Sequence, residues 1–284
     1  MKDQITRRGL LKAFAHVMIG GTLATVPGYL YTTELEPEWL SLERLTIPIR
    51  RLPLAFEGFK IVQMSDFHLL PFTKIDLVRE AVAIANKLKP DLVLLTGDYV
   101  LSIVDSIFEL APVLATLDAK NGIFTCLGNH DLWTDEAVVR TGLEESKLPL
   151  LKNAGVEIGS GRSVLYVAGL DDGWSGNPDL SRALEDAPHG APVILMHHEP
   201  DFADVNSRDG RVALQLSGHS HGGQVRLPII GSFVLPEYGQ KYDMGLYRVN
   251  DMWLYTNRGI GVIAPPVRFN CRPEVTEITL VQGR

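Results

Sequence analysis

The sequence is poor in cysteine: two in 284 residues, Cys126 and Cys271. That excludes a disulfide framework and a thiolate-rich zinc site. Basic runs are missing from the globular part and the net charge is −7, so no nucleic-acid partner is expected. There is no internal repeat and no low-complexity tract, which excludes an array architecture. A nucleophilic serine or cysteine motif is also lacking. What is present, a chain that is 45% hydrophobic, suffices for a large core.

The N-terminus carries a targeting pattern. Residues 6–12 read TRRGLLK, and a charge-free stretch runs from Ala13 to Thr33. Tandem Arg7–Arg8 followed by Leu10, Leu11 and Lys12 resembles the twin-arginine class of signals, which carries folded proteins across the cytoplasmic membrane. The stretch is long enough to span a bilayer, but Gly20, Gly21, Pro27 and Gly28 make it weakly hydrophobic. No small-x-small cleavage site is visible, so a cleaved signal and a retained anchor at 13–33 both stay open. The expectation is an exported protein on the periplasmic or extracellular face. Its partners would be the twin-arginine translocation machinery and, with a retained anchor, the membrane. A protein folded before export can take up its metal in the cytoplasm.

Residues 1–33 are therefore set apart, 34–44 are read as a linker, and 45–284 as one domain. After an edge strand, RLTIPI, the first half alternates. KIVQMS, DLVLLTG and GIFTCLG are short apolar runs of strand type. Between and after them come helical patterns over 74–89, 105–118 and 134–147. That is α/β with parallel strands. In the second half SVLYVAGL, APVILMH and RVALQLSG are strands with shorter intervening segments, and after Gly223 QVRLP, MGLYRVN, DMWLYTN and EVTEITLV are short, β-branched and aromatic, which predicts antiparallel sheet.

Each apolar strand ends in polar residues. Asp66 and His68 follow the first, Asp98 the second, and Asn129, His130 and Asp131 the third; His197 and His198, then His219 and His221, follow two later ones. In an open α/β sheet these ends line one crevice. Carboxylate oxygens and imidazole nitrogens suit Mn, Fe, Zn, Co or Ni. Asp66, His68, Asp98, Asn129, His198, His219 and His221 are too many ligands for one ion and suit two divalent ions sharing a carboxylate. Such a pair activates water and clamps phosphoryl oxygens, so the ligand count points to hydrolysis of a phosphate ester or anhydride.

The blocks SDFH, TGD, GNHD, HEP and GHSH, in this order over residues 60–225, resemble those of the calcineurin-like metallophosphoesterases. The tail NRGIG…PPVRFNCRPE is similar to bacterial members with a twin-arginine signal. The resemblance implies two mixed β-sheets packed as a sandwich and flanked by helices, a four-layer αββα fold. It implies that Asp66, His68 and His221 hold one metal, Asn129, His198 and His219 the other, and that Asp98 bridges them. His130 would act on the leaving-group oxygen as a general acid, and Asp131 would orient His130. Matching the HEPD block selects His198 over His197. Leu101 stands where many members carry a further aspartate.

The leading expectation is a metal-dependent phosphohydrolase, acting on phosphodiesters by a two-metal-activated hydroxide. Trp133 and Trp174 are candidates to face the substrate, and Arg258 and Arg268 to meet phosphate oxygens. A runner-up is a membrane-associated pyrophosphatase on a nucleotide-lipid such as UDP-2,3-diacylglucosamine, as among some related members. That step needs a cytoplasmic active site, in conflict with export. A non-catalytic metal-binding protein on the same fold is the alternative from another class. Retention of all seven ligands and His130 argues against it.

Overall fold

The computed structural model describes residues 26–161 and 163–283; the tandem arginines and most of the charge-free stretch lie outside them. Strand β1 (Ser41–Arg50) is followed by β2 (Lys60–Met64), helix α1 (Ile75–Lys87), β3 (Leu92–Leu95), α2 (Ile107–Leu114), β4 (Ile123–Thr125) and α3 (Asn129–Glu145). Next come β5 (Ala154–Ser160), β6 (Ser163–Gly169), β7 (Val193–Met196) and β8 (Val212–Ser217). A two-residue pairing of β9 (Arg226–Leu227) with β10 (Gly231–Ser232) precedes β11 (Gly245–Val249), β12 (Met252–Thr256) and β13 (Glu274–Gly283).

Two sheets result, in the orders β1-β13-β2-β3-β4 and β11-β12-β8-β7-β6-β5. Alternation along each strand sorts the core. Ile61, Leu92 and Leu94 meet Leu165, Ile194 and Leu214 in the cluster between the sheets. Their neighbours Val62, Val93 and Leu95 face outward onto α1, α2 and α3. Helix α1 supplies Leu77, Val78, Ala81, Val82 and Ala85, a stripe at helical spacing. Beyond the second sheet, Tyr166, Val193 and Leu195 pack against Leu184 and Ala203. This is the expected mixed α/β sandwich, two large mixed sheets flanked by helices.

Four expectations change. The second half is mixed, not antiparallel: in its six-stranded sheet β6, β7, β8 and β12 run parallel, while β5–β6 and β11–β12 pair antiparallel. Residues 170–192 and 197–211 are long enough for crossovers, which short strands alone do not reveal. Strand β13 also leaves that half, lying between β1 (parallel) and β2 (antiparallel) in the first sheet. Strand β1 starts at Ser41, within the stretch read as linker. Helix α3 starts at Asn129, five residues early, and breaks at Asp135 (φ −165°, ψ 101°); its first turn is polar because it belongs to the site.

Candidate metal centre

The C-terminal ends of β2, β3, β4, β7 and β8 converge, and with them all seven sequence-predicted ligands, each at most 5% exposed. Asp66, His68 and His221 form one group and Asp98, His198 and His219 another; within each, the donor atoms lie within 4.8 Å of one another. Asp98 Oδ2 stands 3.1 Å from His198 Nε2 and 3.4 Å from His68 Nε2, so this carboxylate addresses both groups. Asp66 Oδ1 is 3.3 Å from His221 Nε2 and 3.8 Å from His198 Nε2. Asn129 lines the same cavity as Asp98 and His219.

The backbone is bent to do this. Asp66, His68, Asp98, His219 and His221 all have positive φ, between 43° and 71°, a region non-glycine residues seldom adopt. The strain falls on five of the seven candidates and re-aims side chains that an extended strand would send elsewhere. His219 and His221 therefore do not share a direction as an extended i, i+2 pair would; they join different groups. Gly128 permits close approach, since a Cβ there would fall 2.7 Å from His198 Nε2.

Electrostatics and unsatisfied atoms test the fit to cations. Burial raises Asp66, aided by the Asp98 carboxylate and opposed by His198, to about 6. Burial also opposes ionisation of Asp98, but His198, His130 and His68 outweigh it and hold that carboxyl well below its usual range. Burial pushes His68 down to about 3 and His219 to about 4. For His198 the carboxylates of Asp98 and Asp66 override burial and hold the imidazole well above its ordinary value. His198 Nδ1 is 2.6 Å from the Thr96 carbonyl, and His219 Nε2 is 2.8 Å from that of Glu237, which fixes the opposite nitrogen of each ring toward the cluster. His68 Nε2 and His221 Nε2 are only 2.9 Å apart. Among the described residues, His198 Nε2, Asn129 Oδ1 and the Nδ1 atoms of His68 and His221 are buried without a hydrogen-bond partner. Buried polar atoms without partners are costly, and His198 Nε2, 3.1 Å from Asp98 Oδ2, is one that a shared cation would satisfy. The donor set of oxygen and imidazole fits divalent transition ions.

His130 sits at the rim, its ring 4.7 Å from His68 and 4.9 Å from Trp133. Its Nδ1 faces the Leu101 carbonyl at 3.3 Å, and its backbone N–H donates to Asp98 Oδ1 at 2.9 Å. Asp131 does not orient it. The Asp131 carboxylate accepts the backbone N–H groups of Asp98, Tyr99 and Gly128 at 2.8–3.0 Å, bracing the loop that carries Asp98. His197 turns away from the cluster, with Nδ1 at 2.9 Å from Asn206 Nδ2, as selection of His198 requires. The arginines do not meet the cavity either. Arg258 is paired with Glu274 and Glu43, and fully buried Arg268 donates to the carbonyls of Cys271, Arg258, Gly259 and Gly261. Cys126 and Cys271 are both free.

A cavity of roughly 200 Å³ lies over the cluster, walled by Trp133, Trp174, Pro236 and Ile263. The two indoles meet edge to face at 4.9 Å, and Trp133 Nε1 donates to Ser175 Oγ. Sequence reasoning missed the brace behind them. Asp172 accepts the N–H groups of Trp174 and Ser175, and Glu199 accepts that of Gly173. Burial and the adjoining Asp172 carboxyl hold Glu199 well above its usual value. Both carboxyls occur in motif-rich stretches, but a backbone N–H as their partner leaves no trace in sequence.

Comparison with known proteins agrees with this geometry. The calcineurin-like phosphoesterase family matches residues 59–223. The metallophosphoesterase YkuE of Bacillus subtilis is 35% identical, covering 98% of both chains. The phosphodiesterase YaeI of Escherichia coli is 34% identical over 98% of this chain and 100% of its own. Among solved structures, TT1561 of Thermus thermophilus shares the fold at 12% identity, with a TM-score of 0.50 over 72% of this chain and 90% of that one. The chain belongs to the calcineurin-like phosphoesterase family, and is an enzyme of the phosphoester-hydrolysing class.

Proposed function

We propose that this calcineurin-like phosphoesterase hydrolyses phosphodiester bonds with two divalent cations. Asp66, His68 and His221 would hold one, Asn129, His198 and His219 the other, and Asp98 both. The observation that carries this reading is the position of Asp98 Oδ2, within 3.4 Å of His68 and 3.1 Å of His198. Bound cations supply Lewis acidity, making water nucleophilic near neutral pH and neutralising phosphoryl oxygens. Preference for diesters is supported by the name of the Escherichia coli relative.

The chain's own residues do the remainder. Water adds to phosphorus, one P–O bond breaks, and the products are a phosphomonoester and an alcohol. The rim position of His130, beside His68, supports its delivering a proton to the departing oxygen. Trp133 and Trp174 limit access of bulk water and set the width of the entrance. Asp131 keeps Asp98 in place through the backbone. Purified protein with Mn²⁺ or Zn²⁺ should turn over bis-p-nitrophenyl phosphate and contain two metals per chain, and Asp98→Ala should lose both properties. Stoichiometric metal binding without turnover of any phosphoester would sink the reading.

Export through the twin-arginine route is part of the same proposal. It is supported by Arg7–Arg8 ahead of a charge-free, weakly hydrophobic stretch. A reporter fused after residue 35 tests it, with Arg7→Lys, Arg8→Lys expected to retain the reporter in the cytoplasm. Among the described residues no helix is long and apolar enough to cross a membrane.

A further inference from the structure

The metal-ligand cluster opens on two unlike walls. One is aromatic, built by Trp133 and Trp174. On the other side a second cavity of roughly 400 Å³ shares His219, His221, Pro236 and Ile263 with the first. It runs between the 225–236 loop and residues 263–267, and beyond the shared residues its walls include Val225, Phe233, Val234, Leu235, Pro265 and Val267.

This groove has little to offer a polar ligand. Gln224 also lines it, but its amide is committed to backbone: Nε2 donates to the carbonyls of Ile263 and Pro265 at 3.2 Å, and Oε1 accepts the Ile263 N–H at 2.8 Å. The Ser220 hydroxyl donates to the Asp243 carbonyl. What is left is an apolar slot of ligand size that begins at the metal ligands.

The slot's rim is apolar as well. The β9–β10 hairpin ends in Pro228–Ile229–Ile230, and Ile229 is fully exposed with a φ of 72°, a strained conformation for a β-branched residue. Ile230, Phe233 and Val234 are each at least 65% exposed. Exposed apolar area and backbone strain at one tip both disfavour the isolated fold, which points to a use outside it. The N-terminal part of the chain passes close by: the Thr32 carbonyl accepts the N–H of Arg268, next to the groove residue Val267, and Tyr29 and Leu30 are exposed. These three residues close the charge-free stretch.

We propose that the groove holds the hydrocarbon chain of an amphiphilic phosphodiester drawn from a membrane surface. The phosphoryl group then sits at the histidine cluster and the hairpin tip rests in the lipid. Continuity of slot and phosphoryl site selects a chain on the substrate itself over a separate protein partner. The proposal rests on the phosphodiesterase reading above.

The test is a series of p-nitrophenyl alkyl phosphates with methyl, octyl and dodecyl chains, each below its micelle-forming concentration, on the full-length Mn²⁺-loaded enzyme. The leaving group is constant, so only the chain varies. Each methylene fully removed from water contributes up to about fourfold, and kcat/KM should rise at least about tenfold from methyl to octyl. Phe233→Asp and Val234→Asp, both at exposed positions, should flatten the rise. A kcat/KM independent of chain length, with the methyl ester turned over, would overturn the proposal and leave the phosphodiesterase reading intact. A dimer that dissociates on Ile229→Asp, Ile230→Asp, with no chain-length effect, would assign the apolar tip to a second copy and equally overturn it. No turnover of any ester in the series would sink both readings.

Discussion

The carboxylate of Asp131 accepts the backbone N–H of Asp98 at 2.9 Å. It also accepts those of Tyr99 and Gly128, so a first-turn residue of α3 braces the loops that end β3 and β4. Asp131→Asn puts an amide donor against N–H donors. We expect kcat to fall roughly tenfold to a hundredfold with weakened metal affinity, and stability to fall by about 1–3 kcal/mol. Steady-state kinetics, metal titration and urea denaturation read the three effects. A loss confined to stability would mark Asp131 as structural only.

His130→Ala separates proton transfer from metal binding. Metal content should stay at the wild-type value. With an alkoxide leaving group kcat/KM should drop about 10²–10⁴-fold. With p-nitrophenolate, which leaves without a proton, the drop should be much smaller. Equal losses on both substrates would remove the general-acid role.

Removing the metals should cost stability as well as activity. A site filled at a hundred times its Kd contributes about 2.7 kcal/mol, so dialysis against a chelator should lower Tm by roughly 5–10 °C. Both properties should return with Mn²⁺ or Zn²⁺. Asp66, raised to about 6 by burial, must ionise to serve as a ligand. Uptake below that pH therefore releases a proton, and affinity weakens as pH falls through 6. Calorimetry in buffers of different ionisation enthalpy measures that proton.

Acid sensitivity should have a component from His197. Burial pushes its imidazole down to about 3, against about 6.5 in the unfolded chain. Between these values the unfolded state binds more protons, so this contribution is full above pH 6.5 and is lost as pH falls toward 3. The loss runs at up to about 1.4 kcal/mol per pH unit. In the metal-free protein His197→Gln should be less destabilised between pH 7 and 4 than the wild type. Parallel stability curves would refute the assignment.

Much of this site was legible in the sequence because strand ends are: an apolar run followed by Asp-x-His or Gly-His-x-His places those side chains at a sheet's edge. Strand ends alone did not separate His198 from its neighbour His197; the HEPD block of the resembled family did. Sequence reading failed where backbone atoms are the partners. The carbonyls of Thr96 and Glu237, which fix the tautomers of His198 and His219, have no residue signature. Asp131 was misread for the same reason, since its carboxylate accepts from backbone N–H groups and not from the adjacent imidazole. The parallel order of β6, β7, β8 and β12 was hidden because strand composition does not encode direction. Arg258 went to carboxylates and Arg268 to carbonyls rather than to the cavity, because the sequence does not show which acceptors a guanidinium will meet.

Strand β13 has a consequence for how this molecule comes into being. Residues 274–283 lie between β1 and β2, with Glu274 opposite Ser41. Strands β1 and β2 therefore stay apart, separated by the gap that β13 fills, until the chain of the second sheet has been made. The first sheet, and with it the footing of Asp66 and His68, is completed by a strand from far along the sequence rather than by its own neighbours. Contacts of such long sequence separation form late in folding, so the loops that carry these two side chains gain their support only at the end.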